Sequence, residues 1–171
     1  MATRRTTLRR PRHLTLDDVR DCALAQGTRF RQGDILLVQV GWTTRNYRST
    51  DEERRLRVSG KRGYAGLEQG DHILEWLWDN HFAAVASDAP ALESWPCQLG
   101  ATHLHENFLG LWGISIGEIF DLEALTKHCE RTRRWNFLLS QLALEPMGRC
   151  GHHGKCWCDL LSVACTEASS C

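Results

Sequence analysis

Two short apolar runs on either side of an amphipathic stretch constrain this chain more than any other feature. Ile35-Leu36-Leu37-Val38-Gln39-Val40 follows the turn signal Gly33-Asp34 and ends at Gly41-Trp42, and Phe82-Ala83-Ala84-Val85-Ala86 ends at Ser87-Asp88. Both have strand length and little polar alternation, as strands covered on both faces do. Between them Leu67, Ile73, Leu74, Leu77 and Trp78 recur with helical spacing, which predicts a helix over 67–80. Strand, helix, strand in this order is a crossover unit, so a mixed or parallel α/β sheet is expected rather than an all-α bundle.

The remaining elements read outward from this unit. Thr15 followed by Asp17 and Asp18 marks a helix N-terminus, because a hydroxyl and acids suit unpaired N–H groups there, and Gly27 marks its end, giving a helix over 16–26. The polar, charged stretch 43–63 reads as a surface excursion with a short helix. A helix over 104–112, a short strand at Ile114-Ser115-Ile116, a helix over 122–131 and a strand over 135–142 follow. After Pro146 the chain turns to Gly, His, Cys and Ser with no period. The expected organisation is a basic tail over 1–13, an α/β domain over 14–145 and a Cys/His-rich tail over 146–171.

Charge and cysteine content narrow the partners. The 21 basic and 21 acidic side chains cancel, so neither nucleic acid nor an anionic membrane is an expected partner. No apolar run approaches the roughly 20 residues that span a bilayer, and no signal-peptide core is present, so a soluble, cytoplasmic protein is expected. Arg4, Arg5, Arg9 and Arg10 have the charge of a mitochondrial transit peptide but too few apolar neighbours for an amphipathic face, which favours a disordered tail. Of eight cysteines five follow Met147, so the domain itself reads as reduced.

Several residues are candidates for chemistry. Asp88 directly follows a strand, where sites collect in open α/β sheets, or it caps its own turn. Trp42 and Trp95 lie at element ends and either line a pocket or pack in the core. His105 and Glu118 carry donors suited to Zn, Mn or Fe, or are a surface histidine and a solvated acid. A helix over 105–112 advances about 12 Å and an extended return over 114–118 covers about 16 Å, so a reversal near Gly113 would set Glu118 beside His105. In the tail, Cys150, His152, His153, Cys156 and Cys158 could hold zinc, although their spacing matches no standard finger.

From about residue 14 to 142 the sequence resembles the cyclase family, especially its fungal branch, which includes kynurenine formamidase-like (arylformamidase) enzymes. The resemblance rests on Gly33-Asp34-Ile35-Leu36-Leu37-Val38 with Gly41-Trp42, Tyr64-Ala65-Gly66-Leu67, Trp76-Leu77-Trp78-Asp79, Asp88-Ala89-Pro90 with Trp95-Pro96, Leu104-His105, Leu111-Trp112-Gly113, and Ile116-Gly117-Glu118 with Phe120-Asp121-Leu122. It implies a swivelling β/β/α fold and a divalent metal, Zn or Mn, serving hydrolysis of an amide such as N-formylkynurenine, in tryptophan catabolism, or of a cyclic ester. His105 and Glu118 match the later pair of the family's metal ligands, and Asp88 matches an acid beside the active site.

The family's first motif, His-x-Gly-Thr-His-x-Asp or a Trp-Asp variant, has no counterpart before Thr15, and His13 does not replace it. The expectation is therefore a fold incomplete at its N-terminus and lacking its terminal strand, with exposed sheet edges that favour self-association into a homo-oligomer. A small-molecule hydrolase is one expected function, and a shortened, non-catalytic product or binding protein is the alternative.

Overall fold

The computed structural model describes residues 13–58, 63–97, 99–139 and 161–167. In chain order these form β1 (His13–Leu14), α1 (Leu16–Gln26), β2 (Ile35–Gln39), α2 (Trp42–Tyr47), α3 (Asp51–Val58), β3 (Gly66–Leu67), α4 (Asp71–Asp79) and β4 (Ala84–Ser87). A π-helical segment (Glu106–Trp112), β5 (Ser115–Gly117), α5 (Glu123–Thr132), β6 (Asn136–Leu139) and β7 (Leu161–Glu167) follow.

Alternation along the inner strands determines how the layers stack. Leu36 and Val38 on β2 and Val85 on β4 join one core with Val19 of α1, Ile73, Leu74 and Leu77 of α4, and Phe108. Leu37 and Ala86, one residue out of phase, join a second core with Leu122, Cys129 and Trp135. Successive side chains on a strand point to opposite faces, so two strands without polar alternation require apolar cover on both sides. The five-stranded sheet runs β5-β4-β2-β7-β6 and a two-stranded sheet pairs β1 with β3. Strands β2, β4 and β5 are parallel, with Val38 opposite Ser87 and Ala86 opposite Gly117.

Most of the expected elements are present with small shifts. Helix α1 matches its sequence signal: the Thr15 hydroxyl accepts from the Asp18 N–H, the Asp18 carboxylate accepts from the Thr15 N–H, and Gly27 closes the helix at φ 65. The excursion after β2 holds two helices, α2 and α3, rather than one. Helix α4 begins at Asp71 and not at residue 67, because Gly70 at φ 140 breaks the chain and Leu67 is buried in β3. Trp76 packs edge-on against Phe30 and tilted against Phe82, while Trp78 is about half exposed and lies against Trp112, as their two-residue separation on a helix requires.

One expectation is corrected. The tail was read as aperiodic, yet Leu161–Glu167 lies between β2 and β6, parallel to β2 and antiparallel to β6. Its short alternating run is flanked by Cys, Gly and Ser, which hid it from periodicity. The proposed zinc ligands Cys150, His152, His153, Cys156 and Cys158, and the basic segment 1–12, lie outside the described residues. Among the described residues no helix is long and apolar enough to cross a membrane.

Candidate functional site

Parallel strands bring their carboxyl ends to one edge, and β2, β4 and β5 each hand over there to one of the residues singled out from sequence. Trp42 opens α2 just after β2, Asp88 follows β4 and Glu118 follows β5. The Ile119 N–H donates to the Ala89 carbonyl and the Phe120 N–H to the Ser87 carbonyl, so the turns after β4 and β5 are bonded side by side. Gly117 is needed at the crossing: a Cβ there would lie 2.6 Å from the Phe120 ring and 2.9 Å from the Ala86 Cβ.

Asp88 holds the edge together. It is 1% exposed, its Oδ1 accepts from the Val40 N–H at 2.6 Å, and its Oδ2 accepts from the Thr43 N–H at 3.3 Å. The Thr43 hydroxyl donates to the Asp88 carbonyl at 2.7 Å. Burial raises the Asp88 pKa, and the N–H groups of Val40, Thr43, Trp42 and Gly41 hold it back. The carboxylate thus fixes the loop that carries Trp42.

His105 and Glu118 meet. A helical turn over 104–112, anchored by buried Leu104 and Phe108, ends at Gly113 in the left-handed conformation (φ 68), and the chain returns through β5. The reversal sets His105 Nε2 2.9 Å from Glu118 Oε1. The other ring nitrogen, Nδ1, lies 2.6 Å from Oε2 of Glu93, and Glu93 Oε1 accepts from the His105 backbone N–H at 3.4 Å. Glu93 is 4% exposed, whereas the His105 and Glu118 side chains are each 33% exposed.

Glu93 was missed from sequence because His105 lies twelve positions further along the chain with no period to signal the contact. Its position comes from backbone pairing: the Leu67 N–H donates to the Leu92 carbonyl and the Ser94 N–H to the Leu67 carbonyl, each at 2.9 Å. Trp95, 43% exposed, continues the same segment and exchanges backbone hydrogen bonds with Tyr64 at 3.0 and 3.1 Å. Burial first, then the charges of Glu118 and Glu93, raises the Tyr64 pKa, so the phenol belongs to this acidic neighbourhood. Cys97 and His103 form a further contact, Sγ to Nδ1 at 3.3 Å. His13 pairs with Gly66 in β1 and its Nδ1 meets the Ser94 hydroxyl, one residue from Glu93 and so on the opposite side of that segment.

The surroundings of His105 make its charge dependent on pH. Desolvation lowers its pKa, but hydrogen bonds and charge from Glu93, then Glu118, outweigh that and the pKa is raised overall. A raised histidine pKa contributes stability that is fully present below the unfolded value of about 6.5 and is lost as pH rises through the folded value. The stability gap between wild type and His105→Gln is therefore expected to narrow as pH rises above about 6.5. Chemical denaturation across that range measures it, and a gap that widens with pH would contradict the assignment.

His105 and Glu118 supply an imidazole nitrogen and a carboxylate oxygen, donors of the kind Zn and Mn accept. Among the described residues no group of three or more His, Cys, Asp and Glu is arranged to hold a metal ion, so His105 and Glu118 by themselves are two donors and not a closed site.

Comparison with known proteins agrees with this architecture. A family model described as "Putative cyclase" matches residues 2–94, more than half of the chain, a stretch that includes Asp88 and Glu93. No curated protein matches the sequence. A solved structure described as the crystal structure of a novel cyclase is similar with a TM-score of 0.67 and 29% identity, over 82% of this chain and 45% of that one. The chain thus spans less than half the length of that structure, and it belongs to the cyclase family.

Proposed function

We propose that the chain carries part of the active site of a metal-dependent hydrolase acting on an amide, such as an arylformamide, or on a cyclic ester. The observation that supports this reading is the 2.9 Å approach of His105 Nε2 to Glu118 Oε1 at the carboxyl edge of the parallel sheet. His105 and Glu118 would hold the ion, Zn or Mn, with the remaining donors coming from outside the described residues. Such an ion polarises a carbonyl and lowers the pKa of a water molecule. The chain's own residues do the rest: Asp88 holds the loop bearing the half-buried Trp42, and Trp42 with the exposed Trp95 would offer aromatic surface to a small-molecule substrate.

The test is metal analysis of the purified chain with equilibrium dialysis against Zn and Mn, alongside formamidase and lactonase assays. Uptake is expected to weaken at least about tenfold in His105→Ala, because the variant loses one of the proposed donors. Identical uptake by wild type and variant would remove the reading's chemical content. A second reading, a non-catalytic binding protein, is favoured by the absence of a three-donor cluster among the described residues. A cooperative melt with metal uptake but no turnover would support it.

A further inference from the structure

We infer that Glu93 is a positioning residue for His105: it holds the proton on Nδ1 and turns Nε2, as the free lone pair, towards Glu118. The inference rests on the reading of His105 and Glu118 as metal ligands and adds the group that orients the first of them. Three observations carry it. Both Glu93 oxygens engage His105, Oε2 at the ring Nδ1 and Oε1 at the backbone N–H, which fixes the ring's rotation as well as its place. The residues on either side of Glu93, Leu92 and Ser94, are hydrogen-bonded to Leu67, and Gly66 allows an approach that any Cβ would block at 2.4 Å. Lastly, the two carboxylates on the ring are unequally exposed: Glu93 is buried and Glu118 is a third exposed.

That inequality decides the tautomer. A neutral imidazole has one N–H, and Glu93 and Glu118 compete for it. Without that proton the loser is an acceptor facing a ring lone pair, so its carboxylate must turn away to water. Glu118 can reach solvent, whereas Glu93 without the Nδ1–H would be a buried carboxylate short of a donor, a larger cost. The proton therefore sits on Nδ1. Carboxylates commonly orient metal-binding histidines in this way, through the nitrogen that does not bind the ion.

The test uses the full chain, 15N-labelled and free of metal, at a pH where His105 is neutral. Long-range proton–nitrogen spectra, with the His105 signals assigned by their loss in His105→Gln, report which ring nitrogen carries the proton. In wild type Nδ1 is expected to be protonated and Nε2 free, and Glu118→Gln should leave that pattern in place. Glu93→Gln should shift population to the Nε2–H form, because the Gln amide can donate to Nδ1. An Nε2–H form in wild type overturns the inference, as does a pattern that Glu93→Gln leaves unchanged. The wild-type spectrum alone is decisive if Glu93→Gln does not fold. Zinc dialysis separates the two levels: Glu93→Gln is expected to bind Zn about 10- to 100-fold more weakly than wild type. A wild type that binds no Zn yet shows the Nδ1–H form would sink the hydrolase reading while leaving the positioning role intact.

Discussion

Gly66→Ala is expected to cost the fold about 3 kcal/mol and to loosen the candidate site in the same step. The added Cβ would lie 2.4 Å from the Glu93 carbonyl carbon, 2.6 Å from its oxygen and 2.6 Å from the Ser94 nitrogen. All three are backbone atoms, so no rotamer change relieves the overlap. The segments must move apart, which weakens the bonds joining Leu67 to Leu92 and Ser94 and opens the core around Leu67 and Leu92, both fully buried. Overpacking costs about 1–3 kcal/mol, and each weakened backbone bond adds about 1 kcal/mol. Urea denaturation followed by far-ultraviolet circular dichroism measures the loss. Gly110→Ala, where an added Cβ meets nothing within 4 Å, is the control. A Gly66→Ala midpoint equal to that of the control would refute the steric account.

Asp88→Ala is expected to destabilise the protein by a similar amount, about 3 kcal/mol, through a different route. The substitution strands the N–H groups of Val40 and Thr43 and leaves a gap where a fully buried carboxylate stood. Hydrogen bonds to a charged group contribute about 1.5–3 kcal/mol each. Asp88→Asn should cost less, because the amide oxygen can still accept one of the two, although its NH2 then faces the other donor. The pH dependence has a definite sign. The folded-state pKa of Asp88 is raised, so the folded protein holds that proton more tightly than the unfolded chain. The resulting stability is full below about pH 3.9 and is lost as pH rises through the folded value. The advantage of wild type over Asp88→Asn should therefore shrink as pH increases; growth instead would mean that the N–H groups outweigh burial.

What could be read from the sequence was what depends on neighbours along the chain. The capping residues Thr15, Asp18 and Gly27 bounded α1 to the residue, and the apolar runs marked β2 and β4 because strands buried on two faces need little else to declare themselves. The meeting of His105 with Glu118 was also accessible, since one helical turn and one short strand of known rise fix the distance between them. Glu93 was not. Its carboxylate reaches His105 because Gly66 and Leu67, some 25 residues earlier, clamp its backbone, and no local pattern records a pairing at that range. The true start of α4 was hidden because Leu67 has helical spacing by coincidence while its side chain fills the core from β3. Strand β7 was hidden for a related reason: its partners β2 and β6 supply the order that its own residues do not announce.

The place of β7 governs the order of assembly. Ile35 lies opposite Val163, so a middle strand of the larger sheet arrives from the ribosome long after the strand it adjoins. Until then, among the described strands, β2 has one satisfied flank, against β4, and one row of open amide and carbonyl groups, while β6 has no partner. Nascent chains would carry that open row until Leu161–Glu167 has emerged, a surface on which a chaperone could act or a second nascent chain could pair.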